Sequence, residues 1–216
     1  STSTKRHAVI ITAAGTGTRF SSTQAKALAP LDGKPLIAHS IQALLSLKPV
    51  QFIITVHPDT QAEIQAVASQ YSDAIQSVLG GATRAESVKA GVDALEDGVD
   101  RVWIHDAARP FLAADLIQRL QDASELHRAV IPGIAVTDTI KLLEDGIVRK
   151  TIDRDQLSAA QTPQVFDPEL LRDAYQRGGI EAGTDESSLI EEVHKVRVIA
   201  GCLENQKVTY TSDLPG

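Results

Sequence analysis

Cysteine, tryptophan and long apolar runs are all scarce in this sequence of 216 residues. The one cysteine, Cys202, excludes an internal disulfide and any metal site built from several cysteines. No apolar run approaches the roughly 20 residues that span a bilayer, and the polar start from Ser1 to Arg6 has no signal-peptide core. We therefore expect a cytoplasmic protein that does not bind a membrane.

Positive charge is also in short supply. The formal net charge is −7, which opposes long-range attraction to nucleic acid or to anionic membranes, and we expect no nucleic-acid partner. If this protein binds phosphate groups, it must gather its few cations at one place. The hydrophobic content of 43% and the charged content of 23% are otherwise those of a globular protein.

A glycine-containing loop follows the first predicted strand. The β-branched run Val9–Ile11 predicts a strand that is covered on both faces, as in a parallel sheet. Gly15 and Gly17 allow the turn that must follow and leave backbone N–H groups open to an anion. Arg19 and Lys26 add full positive charges, so this stretch predicts a site for a polyphosphate.

Two better-known glycine loops do not fit this stretch. A dinucleotide fingerprint would need glycine where Phe20 stands, and no Gly-Lys-Ser or Gly-Lys-Thr tripeptide of a Walker loop follows Gly15 or Gly17. An ordinary strand-to-helix loop remains the alternative to a phosphate site. The pairing of Arg19 with Lys26 favours the phosphate site.

Strand and helix patterns alternate along most of the chain, which predicts an α/β protein with a mostly parallel sheet and helices on both faces. We expect one domain over residues 1–216. The predicted strands cover residues 9–11, 52–56, 75–79, 102–105, 129–136 and 196–199. The predicted helices cover residues 35–47, 59–69, 113–126 and 168–176, with a further helix that begins at Thr83 and another that Thr184 caps.

Two more groups stand at the carboxyl ends of predicted strands, the edge at which open α/β sheets bind ligands. Gly80 and Gly81 follow one strand, and either wall the same pocket as the first loop or form a tight turn. Asp106 follows another, where it could hold Mg²⁺ or form a surface ion pair. Arg109 could meet a second anion. His105 has no second histidine at ligand spacing, which favours a structural role.

Residues 137–158 form a different pattern, which we call the arm. Two alternating segments, 139–144 and 147–152, flank Asp145-Gly146, which predicts a β-hairpin. Because an isolated hairpin is marginal in water, we expect the arm to pack on a second copy of the chain.

These motifs closely resemble the 2-C-methyl-D-erythritol 4-phosphate cytidylyltransferases over nearly the whole chain. The matching segments are Thr12 to Arg19 with Lys26, Gly80-Gly81 with Arg84 and Ser87, His105 to Pro110, Asp138-Thr139, Asp153-Arg154, Thr162 to Gln164, Thr184 to Glu186, and Lys207 to Thr209. The resemblance implies a Rossmann-like nucleotidyltransferase fold. It also implies transfer of a cytidylyl group from CTP to 2-C-methyl-D-erythritol 4-phosphate, with release of pyrophosphate, in non-mevalonate isoprenoid synthesis.

The resemblance further implies a role for each site residue. Arg19, Lys26 and Lys207 would be catalytic and hold the phosphates, and Mg²⁺ would be the cofactor. The nucleotide would be bound by Ala13, Ala14, Gly15, Gly17, Gly81, Ser87 and Asp106. The acceptor would be bound by Arg109, Thr139, Arg154, Thr162 and Thr184. Thr139 and Arg154 would reach the partner's site from the arm of a homodimer.

The sequence departs from the family pattern at Thr12, where proline is usual, and at Ala25 and Ala27 on either side of Lys26. Two alternatives stay open. A ribitol 5-phosphate cytidylyltransferase would use the same machinery on another polyol. A non-catalytic nucleotide-binding regulator would keep Gly15 and Gly17 but would have no need for both Lys26 and Lys207.

Overall fold

The structure is a computed structural model that describes residues 4–14, 25–179 and 184–208. Its strands are β1 (His7–Ala13), β2 (Pro30–Leu31), β3 (Lys34–Pro35), β4 (Gln51–Val56), β5 (Ile75–Leu79), β6 (Arg101–Asp106), β7 (Ala129–Ala135), β8 (Ile140–Glu144), β9 (Ile147–Ile152), β10 (Ser158–Ala160), β11 (Gln164–Phe166) and β12 (Arg197–Ala200). Its α-helices are α1 (Leu36–Leu44), α2 (Gln61–Ser69), α3 (Arg84–Asp93), α4 (Ala114–Leu126), α5 (Pro168–Arg177) and α6 (Ser187–Ile190).

One eight-stranded sheet forms the centre of the fold, with the strand order β10-β7-β11-β6-β1-β4-β5 and β12 paired to β7. The pairs of β1 with β4 and β6, of β4 with β5 and of β7 with β12 are parallel, whereas β10 and β11 run antiparallel to their neighbours. The predicted mostly parallel sheet of an α/β protein is confirmed.

Both faces of this sheet are covered, as the unbroken apolar runs predict. Alternate residues of β1 belong to opposite cores: Val9 and Ile11 pack in one, and Ala8 and Ile10 in the other. The first core includes residues of α1, α2 and α4, and the second includes residues of α3, α5 and α6. Within the described residues, no helix combines the length and apolar character that crossing a membrane would require.

Two predicted caps have different outcomes. The capping box of α3 is confirmed, because the Thr83 side chain accepts from the Glu86 backbone and the Glu86 carboxylate accepts from the Thr83 backbone. The predicted cap at Thr184 is wrong. The Asp185 carboxylate accepts from the Ser188 N–H and the Ser187 hydroxyl instead, and α6 begins only at Ser187. A carboxylate is the stronger acceptor at this position because it also complements the helix dipole.

The arm contains the predicted hairpin, in which β8 and β9 pair as a separate two-stranded sheet. Asp145 and Gly146 both have positive φ, 50° and 78°, which is the backbone conformation of a two-residue hairpin turn. Large apolar side chains of the arm lie open to solvent, among them Leu143 at 58% and Ile147 at 71% exposure. An apolar surface of this kind is typical of an interface.

His7 lies buried at the amino end of β1, where its Nδ1 accepts a hydrogen bond of 2.8 Å from the Trp103 indole N–H. Burial lowers the pKa of His7 below its ordinary value of 6.5, although Glu125 acts in the opposite direction. The neutral ring is therefore the form that suits the folded state. Protonation of Nδ1 would break its bond to Trp103.

This arrangement predicts a loss of stability in mild acid. The unfolded chain takes up the His7 proton first as the pH falls, so the stabilisation is complete above about pH 6.5 and is lost as the pH falls toward the lower folded-state pKa. The melting temperature of the wild type should fall more between about pH 7.5 and pH 5.5 than that of His7→Gln, whose amide can still accept from Trp103. Fluorescence of Trp103, the one tryptophan, can follow unfolding. Equal losses in the two proteins would contradict this account.

Candidate active site at the carboxyl edge of the sheet

The ends of several strands bring the predicted site residues to one edge of the sheet. Thr12 of β1 lies opposite Asp106 of β6, and the Ala107 N–H donates to the Thr12 carbonyl. The second glycine turn folds back toward β1, so closely that a Cβ on Gly80 would lie 2.6 Å from the Ala14 Cβ. The sequence expectation that the two glycine loops share one edge therefore holds for Ala13 and Ala14 on one side and Gly80 and Gly81 on the other.

The carboxylate of Asp106 lies at the centre of a cluster of charges. Its Oδ1 accepts from Arg84 Nε at 3.0 Å and Nη2 at 2.8 Å, and from the Thr12 hydroxyl at 3.3 Å. Its Oδ2 lies 3.5 Å from Lys207 Nζ and 3.9 Å from Arg109 Nε. With only 7% of the residue exposed, this is a buried network and not the surface ion pair that remained open as an alternative.

The cations decide the protonation state of Asp106. Burial alone would raise the pKa of this carboxyl, but Arg84 and Lys207 hold it below its usual range. The carboxylate is therefore ionised at neutral pH. Burial alone would likewise lower the pKa of Arg84, but Asp106 and Glu186 together raise it above its ordinary value, so the guanidinium stays charged.

The Thr162 hydroxyl holds the Asp106 backbone, and the His105 ring in turn contacts that hydroxyl. The Thr162 hydroxyl accepts from the Asp106 N–H at 3.1 Å and lies 2.9 Å from His105 Nδ1, while His105 Nε2 lies 3.0 Å from the Arg109 carbonyl. Burial lowers the pKa of His105 to about 4, so the ring is neutral and fits as a donor at Nε2. The structural role predicted for His105 is confirmed. Thr162 was predicted to bind the acceptor, but its hydroxyl is engaged by Asp106 and His105.

A clamp of two amide side chains holds the loop that carries Lys207. Gln161 donates to the carbonyls of Cys202 and Asn205 and accepts from the Cys202 N–H, and the buried Asn205 side chain donates to the Thr162 carbonyl. The Arg109 guanidinium donates to the Asn205 carbonyl at 2.7 Å. These bonds fix the approach of Lys207 to Asp106.

A small apolar cluster joins the segments of the two predicted catalytic lysines. Val208, directly after Lys207, is buried with Ala29, Leu31 and Leu36, and the Val208 N–H donates to the Ala108 carbonyl. Ala29 follows the short 3-10 helix Lys26–Leu28, and its N–H donates to the Lys26 carbonyl. Segments that are about 180 positions apart in the chain therefore pack against each other.

The resemblance implies that the glycine turn and Ser87 contact the base of the nucleotide. The Ser87 hydroxyl donates to the Thr83 carbonyl at 3.0 Å and accepts from the Gly81 N–H at 3.1 Å. Each group is thus held in place by the other within the turn. Their contact with a nucleobase stays a prediction.

A cavity of 480 Å³ opens beside this charge cluster. Arg109, Lys207 and Asn205 line one side, and Ala159 and Ala160 of β10, which follow the arm directly, line another. Its size suits a small ligand, and its two cations suit an anionic one.

Other predicted residues lie apart from the cluster. Thr139 is exposed in the arm, and Arg154 donates to the Thr137 carbonyl at the arm's base. Thr184 is exposed before α6. Gly15, Gly17 and Arg19 lie outside the described residues.

No sequence argument had assigned Gln161 or Asn205 a role, Glu186 was expected only to complement the positive end of a helix, and Arg84 appeared only within a resemblance motif. Glu186 accepts from Arg84 Nη1 at 2.7 Å, although the two residues are 102 positions apart. Burial raises the pKa of the Glu186 carboxyl, against the effect of Arg84. The motif Thr184 to Glu186 was the one signal for it, and no pattern marks a clamp of loop amides.

Comparison with known proteins agrees with this geometry. A family model described as IspD, 2-C-methyl-D-erythritol 4-phosphate cytidylyltransferase, matches residues 7–215. The chain is 40% identical over 211 residues to the 2-C-methyl-D-erythritol 4-phosphate cytidylyltransferase of Synechococcus sp., covering 95% of this chain and 93% of that protein. It is 39% identical over 213 residues to a bifunctional enzyme IspD/IspF of Desulfotalea psychrophila, covering 97% of this chain and 55% of that protein.

The chain thus spans about half the length of the bifunctional relatives. Among solved structures, the 4-diphosphocytidyl-2C-methyl-D-erythritol synthase of Anaerococcus prevotii superposes with a TM-score of 0.84 at 30% identity, covering 97% of this chain and 94% of that one. The family model covers nearly the whole chain, including the strand ends and the Lys207 loop that form the charge cluster. The chain belongs to the IspD family of 2-C-methyl-D-erythritol 4-phosphate cytidylyltransferases.

Proposed function

We propose that this protein transfers a cytidylyl group from CTP to 2-C-methyl-D-erythritol 4-phosphate, which yields 4-diphosphocytidyl-2-C-methyl-D-erythritol and pyrophosphate. The observation that carries the proposal is the cluster at Asp106, where Arg84, Arg109 and Lys207 converge in a chain of net charge −7. Family membership favours this reaction over the ribitol 5-phosphate alternative. The enzyme would act in the cytoplasm, where CTP is available.

The acceptor's own phosphate supplies the nucleophile in this proposal. A phosphate monoester is mostly dianionic at pH 7, because its second pKa is about 6, so its oxygen needs no general base. The site fits this requirement. His105, the histidine nearest to Asp106 in sequence, is buried and has both ring nitrogens engaged, so it is not available to accept a proton.

Catalysis then consists of positioning and electrostatic stabilisation. Attack on the α-phosphorus brings two anions together and increases charge on the equatorial and leaving oxygens. Lys26, Lys207 and Arg19 would stabilise that charge, and Ala13, Ala14, Gly81 and Ser87 would hold the nucleotide, with Gly15 and Gly17 supplying backbone donors. Arg109, beside the cavity, would bind the acceptor's phosphate, which favours arginine because its fork can donate two bonds. Thr184 would complete the proposed acceptor contacts, whereas Thr162, whose hydroxyl is engaged by Asp106 and His105, would contribute by holding the Asp106 backbone.

Magnesium is proposed as the cofactor, with Asp106 as its protein ligand. Among the residues that the structure describes, no three histidine, cysteine or acidic side chains gather into a metal cage. Magnesium commonly needs only one or two carboxylates, because substrate phosphates and water complete its shell. The ionised Asp106 fits that pattern through Oδ2, the oxygen that faces Lys207 and Arg109. The bound ion would neutralise phosphate charge.

A homodimer would complete the site. The exposed apolar side chains of the arm need a cover, and the arm's root borders the cavity through β10. We propose that a second copy supplies that cover and that Thr139 and Arg154 reach the partner's site, where they would contact the acceptor.

The first test removes the Lys26 amine. Loss of one such donor typically costs about 3–4 kcal/mol of barrier, so Lys26→Ala should lower turnover by about 10²–10³ while the protein stays folded. Pyrophosphate release from CTP with Mg²⁺ is measured with each of the two polyol phosphates in turn. Lys89→Ala, which removes a lysine from an exposed pair with Asp93, serves as the matched control and should keep its activity. Near-normal turnover by Lys26→Ala would refute its assigned role.

The second test addresses the shared site. Chains carrying Lys26→Ala are mixed with chains carrying Arg154→Ala under conditions that exchange subunits, with two affinity tags to isolate mixed dimers. The isolated mixed dimers should have about half of the wild-type rate, because one of their two sites is intact, and the mixture before isolation should have about one quarter, because half of its dimers are mixed.

A second mixture controls for simple exchange. Lys26→Ala with Lys207→Ala should show no recovery, because both lysines are proposed to act in the same chain's site, so that each site of the mixed dimer lacks one of them. The small apolar cluster that joins their segments supports this proposal. Mixed dimers of the first kind that stay inactive would overturn the shared-site proposal.

A further inference from the structure

Arg84 links two buried acids that come from different parts of the chain. Its Nη1 donates to Glu186 Oε1 at 2.7 Å, and its Nε and Nη2 donate to Asp106 Oδ1. Glu186 lies just before α6 and is 1% exposed, and Asp106 ends β6 at the candidate site. The guanidinium therefore connects a residue outside the reaction cluster to the centre of that cluster.

The bonds of Arg84 to Asp106 have an unusual distribution. An arginine beside a single carboxylate commonly forms a fork, with one N–H on each oxygen. Here two N–H groups of Arg84 converge on Oδ1 alone. The third group, Nη1, donates to Glu186, and because the guanidinium is planar this bond helps to set the orientation of the Nε and Nη2 edge that meets Asp106.

The consequence falls on Oδ2, the oxygen that faces the phosphate-binding cations. It lies 3.5 Å from Lys207 Nζ and 3.9 Å from Arg109 Nε, with no bond to Arg84. A fork from Arg84 would occupy this oxygen and weaken its hold on Lys207. The orientation of Lys207 thus depends on where Arg84 is held.

Stability alone does not account for a charge at Glu186. Its Oε2 is buried, and no hydrogen-bond partner for it occurs among the described residues; the buried Tyr175 hydroxyl is in the same situation. A half-satisfied buried carboxylate is costly, and apolar replacement of a whole buried ion pair is often neutral or stabilising. The unfavourable burial of the Glu186 carboxylate is better explained by its effect on the orientation of Arg84.

We propose that Glu186 is a positioning residue, which holds Arg84 on Oδ1 of Asp106 and so keeps Oδ2 for Lys207 and the substrate side of the site. The catalytic reading of this role rests on the proposed function. The effect on Arg84 itself does not, because it is a property of the protein without substrate.

The test is a double-mutant cycle with Glu186→Leu, Arg84→Leu and the double variant. Glu186→Leu should lower kcat about tenfold, the effect of losing one hydrogen bond to a charged group, and leave KM for CTP within about twofold. In the Arg84→Leu background, the same change should cause no further loss of kcat, because Glu186 acts only through Arg84. A tenfold loss in both backgrounds, or none in the wild-type background, would overturn the proposal.

Two further variants separate positioning from folding. Glu186→Gln keeps an acceptor for Arg84 Nη1 and should retain kcat within about threefold, whereas a full tenfold loss would show that charge and not orientation matters. This variant also decides the question if Glu186→Leu does not fold. Asp167→Ala removes an ion pair with Arg128 and the side-chain cap of α5, and should lower the melting temperature with no change in kcat.

A crystal structure of Glu186→Leu supplies a readout that is independent of turnover. Arg84 should donate to both Oδ1 and Oδ2 of Asp106 in that variant. Arg84 still bonded to Oδ1 alone would refute the positioning role even if activity fell. If the wild type turns over neither polyol phosphate, the proposed function fails, while this structure still decides what Glu186 does to Arg84.

Discussion

The site depends on one ionised carboxylate, Asp106, buried at the carboxyl end of a central strand. A buried charge is costly without partners, and here the partners come from three separate segments as Arg84, Arg109 and Lys207. The same carboxylate that holds these cations together in the folded protein also fits the single-carboxylate pattern of a magnesium ligand. Asp106 thus both stabilises the arrangement of the loops and is the proposed ligand of the metal ion.

Hydrogen bonds between neutral groups also support this cluster. His105 and Thr162 hold the Asp106 backbone, and Gln161 and Asn205 clamp the loop that ends at Lys207. Because these side chains are buried and hydrogen-bonded to more than one partner, they fix the backbone of the loop from which Lys207 extends. A long, flexible side chain on an unsupported loop would lose that precision.

A phosphate site in an acidic protein requires that positive charge be concentrated locally. The cavity beside the charge cluster is lined by Arg109 and Lys207 and, close to the root of the arm, by Ala159 and Ala160. The arm itself exposes large apolar side chains that the described residues of one chain leave open to solvent. Its placement connects subunit assembly, as proposed, to completion of the acceptor site.

Much of this fold follows from local patterns. Continuous apolar runs identified the parallel strands, Thr83 with Glu86 identified the start of α3, and Asp145-Gly146 identified the hairpin turn. Glycine turns and Asp106 at strand ends indicated the binding edge. One local inference failed at Thr184, because neighbouring Asp185 supplies a better acceptor for the same helix.

The identities of the elements and of the candidate site's edge of the sheet were therefore determined by the sequence alone, because both depend on residues within a few positions of each other. The tertiary structure decided which side chains meet. Arg84 finds Glu186 across 102 positions, and Val208 finds Ala29 and Leu31 from the far end of the chain, only because the strand order brings their loops together. No periodicity encodes such pairs, since each is fixed by the packing of the whole sheet and its helices.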